Sequence, residues 1–174
     1  MNLVFTGFMG SGKSVVGRAV AAKLGRKFYD TDILVETSAA LCINEIFEKY
    51  GEQVFRQMES RAIERVSAEK SAVISCGGGA VLNLKNVENL KKNSIMIRLY
   101  AKAETIFERI KNDASRPLLK RADPLKEIKR LLNEREEFYA RCDFSFDTSF
   151  LNAQAVADSI LKCAEIKKIL DENV

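Results

Sequence analysis

The sequence predicts a three-layer α/β domain with a parallel sheet, and three observations support that prediction. Short β-rich runs alternate with helix-period segments along the whole of the 174-residue chain. A glycine-rich stretch, GFMGSGKS, separates the first β-rich run from the first helical segment. No internal repeat or low-complexity tract interrupts the alternation. This order of elements is typical of a sheet whose faces are both covered by helices.

Hydrophobic periodicity places the individual elements. The predicted strands are the β-rich runs 2–6, 27–31, 72–76, 95–100 and 143–148. The predicted helices, with apolar residues at helical spacing, are 14–24, 44–69, 84–92, 103–111, 124–139 and 153–170. Two segments resemble attachments to the sheet: a helical excursion over 32–61, and a basic, mobile loop over 112–123 between two helices.

Composition narrows the class of protein. With 47% hydrophobic and 30% charged residues, the chain can bury a substantial core, and it has no apolar stretch of transmembrane length. The first residues lack the charged region of a signal peptide, so we expect a cytoplasmic protein with reduced cysteines. The chain has no histidine and no C-x-x-C pair, which argues against a zinc site and a Ser-His-Asp triad. A net charge of +4 does not by itself indicate nucleic-acid binding.

The stretch GFMGSGKS matches the phosphate-binding pattern G-x-x-x-x-G-K-[ST], and its position between a strand and a helix supports the match. Glycines let phosphate oxygens approach backbone N–H groups, and the following helix adds the positive end of its dipole. We expect Lys13 to reach the β- and γ-phosphates and Ser14 to bind Mg²⁺. The alternative is a glycine-rich turn with an incidental lysine. The sequence therefore predicts a site for a nucleoside triphosphate and its metal ion.

A second ligand is predicted at the ends of the second and third strands. The third strand runs into SCGGGAV, whose consecutive glycines favour close approach of a ligand over a purely structural turn. Asp30 and Asp32 lie at the end of the second strand, where one carboxylate can organise metal-bound water and the other can accept a proton from an attacking hydroxyl. The alternative role is a helix N-cap, a serious competitor for Asp32. No N-K-x-D element of a guanine-nucleotide switch occurs.

Three arginines are further candidates. Arg56 and Glu59 lie three residues apart on one helical face, so Glu59 could orient Arg56 toward a substrate carboxylate, or the two could form an exposed ion pair. Arg116 lies in the basic loop, which suits closure over a transferring phosphoryl group. Arg135 is predicted on a long helix and, taken alone, reads as a surface residue.

Taken in order, GFMGSGKS, DTD, EIFEKYGEQVFRQME, SCGGGAV, SRPLL and the R-E-E-F-Y segment resemble the shikimate kinase family from about residue 3 to 150. The resemblance implies ATP-dependent phosphorylation of the 3-hydroxyl of shikimate, a step in chorismate and aromatic amino-acid biosynthesis. It implies a single three-layer αβα P-loop kinase domain over 1–174, with a five-stranded parallel sheet, a helical substrate-binding segment at about 32–61 and a mobile lid at about 110–123. ATP and Mg²⁺ are the implied cofactors. Shikimate is the implied partner, without nucleic acid or membrane, and we expect a monomer.

The resemblance also assigns roles to individual positions. ATP would be held by the phosphate loop and by arginines at its edge: Gly10, Ser11, Gly12, Lys13, Ser14, Val15, Arg109 and Arg116. Shikimate would contact Asp32, Arg56, Glu59, Gly77, Gly78, Gly79, Arg135, Phe47 and Phe55. The catalytic candidates are Asp32 as the base, Lys13 and Arg116; the metal candidates are Ser14 and, through water, Asp30. Arg109 would lie against the adenine, while Arg56 and Arg135 would grip the substrate carboxylate.

The chain departs from the family pattern in two places. The family reads T-G-x-S-I before E-I-F, whereas this chain reads TSAALCINEIF, without the glycine. The stretch SFLNAQAV matches the family's second adenine-contacting segment only loosely, so no residue is assigned there. Two rival functions remain open: a kinase of the same fold that acts on gluconate, and a nucleotide-binding regulatory module without kinase activity.

Overall fold

The structure, a computed structural model, describes residues 1–113 and 122–172. Within these residues five strands form one parallel sheet in the order β2-β3-β1-β4-β5. The strands are β1 (Asn2–Thr6), β2 (Phe28–Asp30), β3 (Val73–Ser75), β4 (Ser94–Tyr100) and β5 (Phe144–Asp147). Because β1 is central, the loop that follows it opens at the middle of the carboxyl edge, where ligands of open α/β sheets bind.

The helices connect these strands. They are α1 (Lys13–Leu24), α2 (Thr31–Ala39), α3 (Ile43–Ser67), α4 (Leu84–Lys91), α5 (Ala103–Ile110), α6 (Pro124–Glu134), α7 (Glu136–Tyr139), α8 (Ala153–Lys162) and α9 (Ala164–Asp171). Two predicted helices are each divided, 124–139 at Arg135 and 153–170 at Cys163, because these residues leave helical backbone geometry. In the described part of the chain, none of the helices is long and apolar enough to cross a membrane.

Two apolar cores lie on opposite faces of the sheet and confirm the predicted three layers. The central strand supplies both: Val4 packs with residues of α3 to α6 on one face, and Leu3 and Phe5 pack with residues of α1, α8 and α9 on the other. Every residue of β1 is buried, as expected for a strand covered on both sides. The rigid sheet therefore fixes the positions of the loops that leave its carboxyl edge.

The helical excursion forms a hairpin of α2 and α3 with a small apolar core of its own. Ala40 links the helices with φ 53°, a left-handed conformation that glycine adopts readily and alanine does not. It stands two residues before Cys42, where the family pattern has its glycine. Cys42 then caps α3, and its backbone N–H donates to the Glu45 carboxylate at 2.7 Å. The turn thus forms without the glycine, and α3 is interrupted once, at Gly51.

Candidate active site

The loop between β1 and α1 is shaped as a phosphate cradle. Gly7, Gly10 and Gly12 have φ values of 135°, 74° and 94°, all in the region that side chains rarely adopt. Lys13 is buried, and its Nζ donates to the carbonyl oxygen of Phe8 at 3.0 Å, which curls the side chain back over the loop. Gly12, the N-cap residue of α1, has no side chain that could cap the first turn of this helix, so the backbone N–H groups there suit an anion. An anion placed in this loop meets backbone donors and a cation together.

Arg109 of α5 and Thr148, which follows β5, donate hydrogen bonds to backbone carbonyls of the phosphate loop. Arg109 donates through Nη1 to the Gly10 carbonyl at 3.2 Å and to Thr148 Oγ1 at 3.0 Å. Its Nη2 donates to the Thr148 carbonyl. Thr148 is buried, and its hydroxyl donates to the Ser11 carbonyl at 2.9 Å. Arg109 was predicted to lie near the nucleotide, but Thr148, which follows β5, was not anticipated. Its position at the end of the last predicted strand, at the carboxyl edge of the sheet, could have indicated a role in the site.

Each residue of the D-T-D stretch has a separate contact. Asp30 caps α2 by accepting from the Asp32 backbone N–H at 3.1 Å, so the N-cap role weighed for Asp32 belongs to Asp30. The Thr31 hydroxyl accepts from the Gly77 N–H at 2.9 Å and so ties α2 to the start of the glycine run. Asp32 lies in the first turn of α2, half-buried, with its carboxylate against Gly77.

Oxygen atoms from three elements meet beside Lys13 and fit a magnesium ion. The Ser14 hydroxyl donates to Asp30 Oδ2 at 2.6 Å, and Ser75 Oγ lies 3.3 Å from Ser14 Oγ. Asp30 and Ser75 are register partners in the β2–β3 pair, which brings both to the sheet edge. Mg²⁺ prefers oxygen ligands and, with a nucleotide, takes most of them from phosphate and water, so a hydroxyl and a carboxylate suffice here. Ser75 was not anticipated from the sequence.

The glycine run is needed for close packing against charged side chains. A Cβ atom on Gly77 would lie 2.5 Å from Asp32 Oδ1 and 2.7 Å from Glu59 Oε1. A Cβ atom on Gly79 would collide with the Arg56 guanidinium, lying 2.8 Å from its Cζ. The run therefore brings two carboxylates and one guanidinium onto bare backbone, because any side chain there would fill the space that these groups occupy.

Arg56 is held by two carboxylates of α3 in different surroundings. Its Nη1 donates to Glu59 Oε2 at 2.9 Å, and its Nη2 donates to Glu52 Oε1 at 3.0 Å. The Glu52 side chain is 65% exposed, whereas that of Glu59 is 2% exposed. Burial raises the pKa of Glu59, the Arg56 charge opposes that rise, and the nearby Asp32 charge adds to it. Among the described residues, Glu59 Oε1 has no hydrogen-bond partner, so this buried oxygen is still able to accept one.

Phe47 and Phe55 pack against each other beside Arg56. Their ring centroids are 4.8 Å apart at an interplanar angle of 35°, and Phe55 is buried in the α2–α3 core. The Arg56 Cζ lies 5.2 Å from the centroid of the Phe55 ring, within cation–π range. The aromatic pair and the Arg56 charge are therefore neighbours on α3.

Arg135 lies at the junction of α6 and α7, which corrects its predicted position inside a long helix. Its backbone has φ −102° and ψ 3°, and its Cζ lies 5.9 Å from the centroid of the Phe8 ring in the phosphate loop. Its side chain is therefore directed toward the site, although the isolated pattern favoured a surface residue. Arg116 falls outside the described residues, as does most of the predicted lid.

The fold and this site are those of a P-loop phosphotransferase: a glycine-rich loop follows the central strand, and carboxylates and arginines cluster beside it. The sequence model described as shikimate kinase matches residues 9–165. Shikimate kinase of Caldicellulosiruptor bescii is 48% identical over 92% of this chain and 93% of the relative. The chain belongs to the shikimate kinase family, whose members use ATP to phosphorylate a hydroxyl group of shikimate.

Solved structures agree with this membership. Shikimate kinase from Acinetobacter baumannii, in complex with shikimate, superposes with a TM-score of 0.90 at 34% identity over 99% of this chain and 94% of that one. A gluconokinase from Sinorhizobium meliloti 1021 reaches a TM-score of 0.61 at 16% identity over 98% of this chain and 94% of that one, a likeness in fold alone. The predicted family and the five-stranded P-loop kinase fold are confirmed, and the lid stays a prediction.

Proposed function

We propose that this chain transfers the γ-phosphoryl group of ATP to the 3-hydroxyl of shikimate between the phosphate loop and the glycine run. One residue carries the proposal. The Phe8 carbonyl accepts from Lys13, the cation of the phosphate cradle, and the Phe8 ring lies under Arg135, a cation suited to a carboxylate. Both cations therefore contact the same residue, Phe8. A triphosphate bound to Lys13 and an acidic acceptor bound to Arg135 would be neighbours.

Shikimate is a ring with hydroxyl groups and one carboxylate, and the acceptor pocket offers a matching set of groups. Arg56 and Arg135 would grip the carboxylate, with Arg56 oriented by Glu59 at 2.9 Å. The aromatic pair of α3 would support the apolar face of the ring. Asp32 would accept hydrogen bonds from ring hydroxyls on the opposite side of the pocket.

The nucleotide half of the site uses the loop geometry. Gly10 to Val15 would surround the phosphates with backbone N–H groups, with Arg109 beside the adenine. Ser14 and Asp30 would hold Mg²⁺, directly and through water. When bound, that ion neutralises charge on the β- and γ-phosphate oxygens. Lys13 would follow the charge that develops on the transferring group, and Arg116 would add a second cation from the lid.

Asp32 is the proposed proton acceptor. As the substrate oxygen bonds to the γ-phosphorus, the bond from phosphorus to the bridging oxygen of ADP breaks, and the hydroxyl proton passes to the Asp32 carboxylate. The products are shikimate 3-phosphate, ADP and one proton. The chemistry chiefly requires positioning and neutralisation of charge, so a chain without histidine can perform it. Closure of the lid would exclude water as a competing acceptor.

The specificity is tested by a coupled assay of ADP release with shikimate and with gluconate. We expect ADP release when shikimate is the acceptor and none when gluconate is the acceptor. Turnover with gluconate alone would favour the rival kinase, and tight ATP binding without turnover of either acid would favour the regulatory module. We further propose a single-domain, cytoplasmic monomer without nucleic-acid or membrane partners. Sedimentation of the purified chain tests its oligomeric state.

The proton acceptor is tested by Asp32→Asn. This change removes the acceptor and leaves the phosphate loop intact, so kcat should fall by about 100-fold or more while the Kd for ATP stays unchanged. Asp158→Asn is the matched control, since Asp158 pairs with Lys23 at 2.9 Å on the opposite face of the domain. An unchanged kcat in the Asp32 variant would remove Asp32 from the mechanism.

A further inference from the structure

Tyr139 is a buried polar residue that the mechanism above does not use. It is 2% exposed, and its hydroxyl donates to the Gly78 carbonyl at 2.6 Å. Gly78 is the middle residue of the glycine run, which forms the floor of the acceptor pocket. A phenol buried in an apolar core requires a partner, and here the partner is the backbone of the site itself.

The same tyrosine is joined to Arg135. The backbone N–H of Tyr139 donates to the Arg135 carbonyl at 3.1 Å, which places the two residues one turn apart on the same side of α7. Arg135 in turn lies over Phe8, and the Phe8 backbone lies against Gly78, where a Cβ atom would be 3.8 Å from the Phe8 carbonyl carbon. The contacts form a closed circuit, from Tyr139 to Gly78, to Phe8, to Arg135 and back to Tyr139.

We propose that Tyr139 is a positioning residue for the acceptor, which acts by holding the Arg135 guanidinium at a fixed height above the glycine run. The inference rests on the proposed role of Arg135 as a ligand of the substrate carboxylate. The Tyr139 hydroxyl does not touch the reacting atoms. Its function is to fix the distance between the Gly78 backbone and the Arg135 guanidinium, the two groups between which the acceptor would bind.

The electrostatic surroundings of Tyr139 support this role. Burial raises the pKa of its hydroxyl, and the nearby Arg135 charge opposes that rise. The phenol therefore stays protonated across the working range of pH, and it continues to donate to the Gly78 carbonyl.

A second contact braces α7 from the other side. Arg98 of β4 donates to both carboxylate oxygens of Glu136 at 2.6 Å each, and its Cζ lies 5.8 Å from the centroid of the Tyr139 ring. Such a two-bond pair fixes orientation as well as distance. Since Glu136 directly follows Arg135 in the chain, the backbone of Arg135 is anchored to the sheet, and Tyr139 remains to fix the side chain.

The test is Tyr139→Phe, which removes one hydroxyl and keeps the buried ring. We expect the KM for shikimate to rise about tenfold, the effect of one well-placed hydrogen bond, while kcat changes less than threefold and the KM for ATP is unchanged. Tyr100→Phe is the matched control, because Tyr100 also lies near Arg98 but is 40% exposed and outside the pocket. A purely structural role would instead lower the melting temperature and affect both substrates alike, and that result would overturn the proposal.

A double-mutant cycle with Arg135→Ala separates this inference from the proposed function. If Tyr139 acts through Arg135, adding Tyr139→Phe to Arg135→Ala should cause no further rise in the KM for shikimate. A full additional rise in the double variant would show that the hydroxyl acts independently of Arg135. An Arg135→Ala variant with unchanged KM for shikimate would instead refute the proposed role of Arg135. Each failure therefore has its own signature.

Discussion

The two carboxylates that hold Arg56 allow a matched comparison, with Glu59→Gln as the perturbation and Glu52→Gln as its control. Both glutamates accept from the same guanidinium at about the same distance, 2.9 Å for Glu59 and 3.0 Å for Glu52. They differ in surroundings, because Glu59 lies beneath the glycine run and Glu52 lies in solvent. Glutamine keeps the shape and one acceptor oxygen, so the comparison isolates the charge.

The magnitude follows from the kind of hydrogen bond that is lost. A buried bond between two charged groups contributes about 1.5–3 kcal/mol, and a neutral acceptor contributes about half of that. The Glu59 variant should therefore hold Arg56 less firmly by roughly 1.4 kcal/mol, which corresponds to about a tenfold rise in the KM for shikimate. The Glu52 variant loses an exposed pair worth less than about 1 kcal/mol, so its KM should change by less than threefold.

Glu59→Gln should weaken shikimate binding but increase the free energy of unfolding. Burial raises the pKa of Glu59 above that of a glutamate in the unfolded chain, so the folded protein binds this proton more readily. The cost of the buried charge is absent below the unfolded pKa of about 4.3 and appears as the pH rises through the folded pKa. Glu59→Gln removes that cost, and Arg56 keeps Glu52 as a partner. We expect the variant to gain stability relative to the wild type as the pH rises through this window.

The assay is steady-state kinetics with shikimate from pH 4.5 to neutral pH, together with thermal unfolding at each pH. As the pH falls, Glu59 takes up a proton, so the KM of the wild type should approach that of the glutamine variant. A KM ratio that stays constant over the whole range would refute the reasoning about the Glu59 charge. Equal effects of the Glu52 and Glu59 variants would refute the reasoning about burial.

Two further predictions concern glycine positions. Gly79→Ala should raise the KM for shikimate by about tenfold or more, because the new methyl group collides with the Arg56 guanidinium; the kinetics would contradict this if only the KM for ATP changed. Ala40→Gly should raise the melting temperature by about 2 °C, since it relieves a left-handed alanine at a cost of about 1 kcal/mol; a lowered melting temperature would show that the turn is unstrained.

Most of the fold could be predicted because its signals are local. The β-rich runs are bounded by breaks in apolar pattern, and each predicted strand overlaps its observed counterpart. The break between α6 and α7 at Arg135 was missed, because ERE has good helix propensity and nothing in the pattern marks an end. The tertiary contacts of the flanking residues Glu136 and Tyr139 accompany this break, and periodicity cannot show them.

The residues of the candidate site likewise fall into those that a local motif reveals and those that only tertiary contacts reveal. Phosphate-loop residues follow a motif whose spacing reflects one local backbone shape, so the sequence reveals them. Ser75 and Thr148 belong to no motif, because their contacts join strands that are far apart in the chain: Thr148 bonds to Ser11 across 137 residues. Such residues can be inferred only after the strand order is known, since it is the order that brings the ends of β3 and β5 to the β1 loop.

The strand order also explains why the phosphate loop and the glycine run lie side by side. Because β1 is central and β3 is its hydrogen-bonded neighbour, the loops after these strands are adjacent, and a Cβ atom on Gly78 would lie against the backbone of Phe8 and Met9. A side chain on Gly78 would lie 3.3 Å from the Met9 nitrogen and press the phosphate loop outward. Under the proposed function the glycine run would serve both ligands: its outer glycines leave room for Asp32, Glu59 and Arg56, and its middle glycine would set the spacing to the triphosphate.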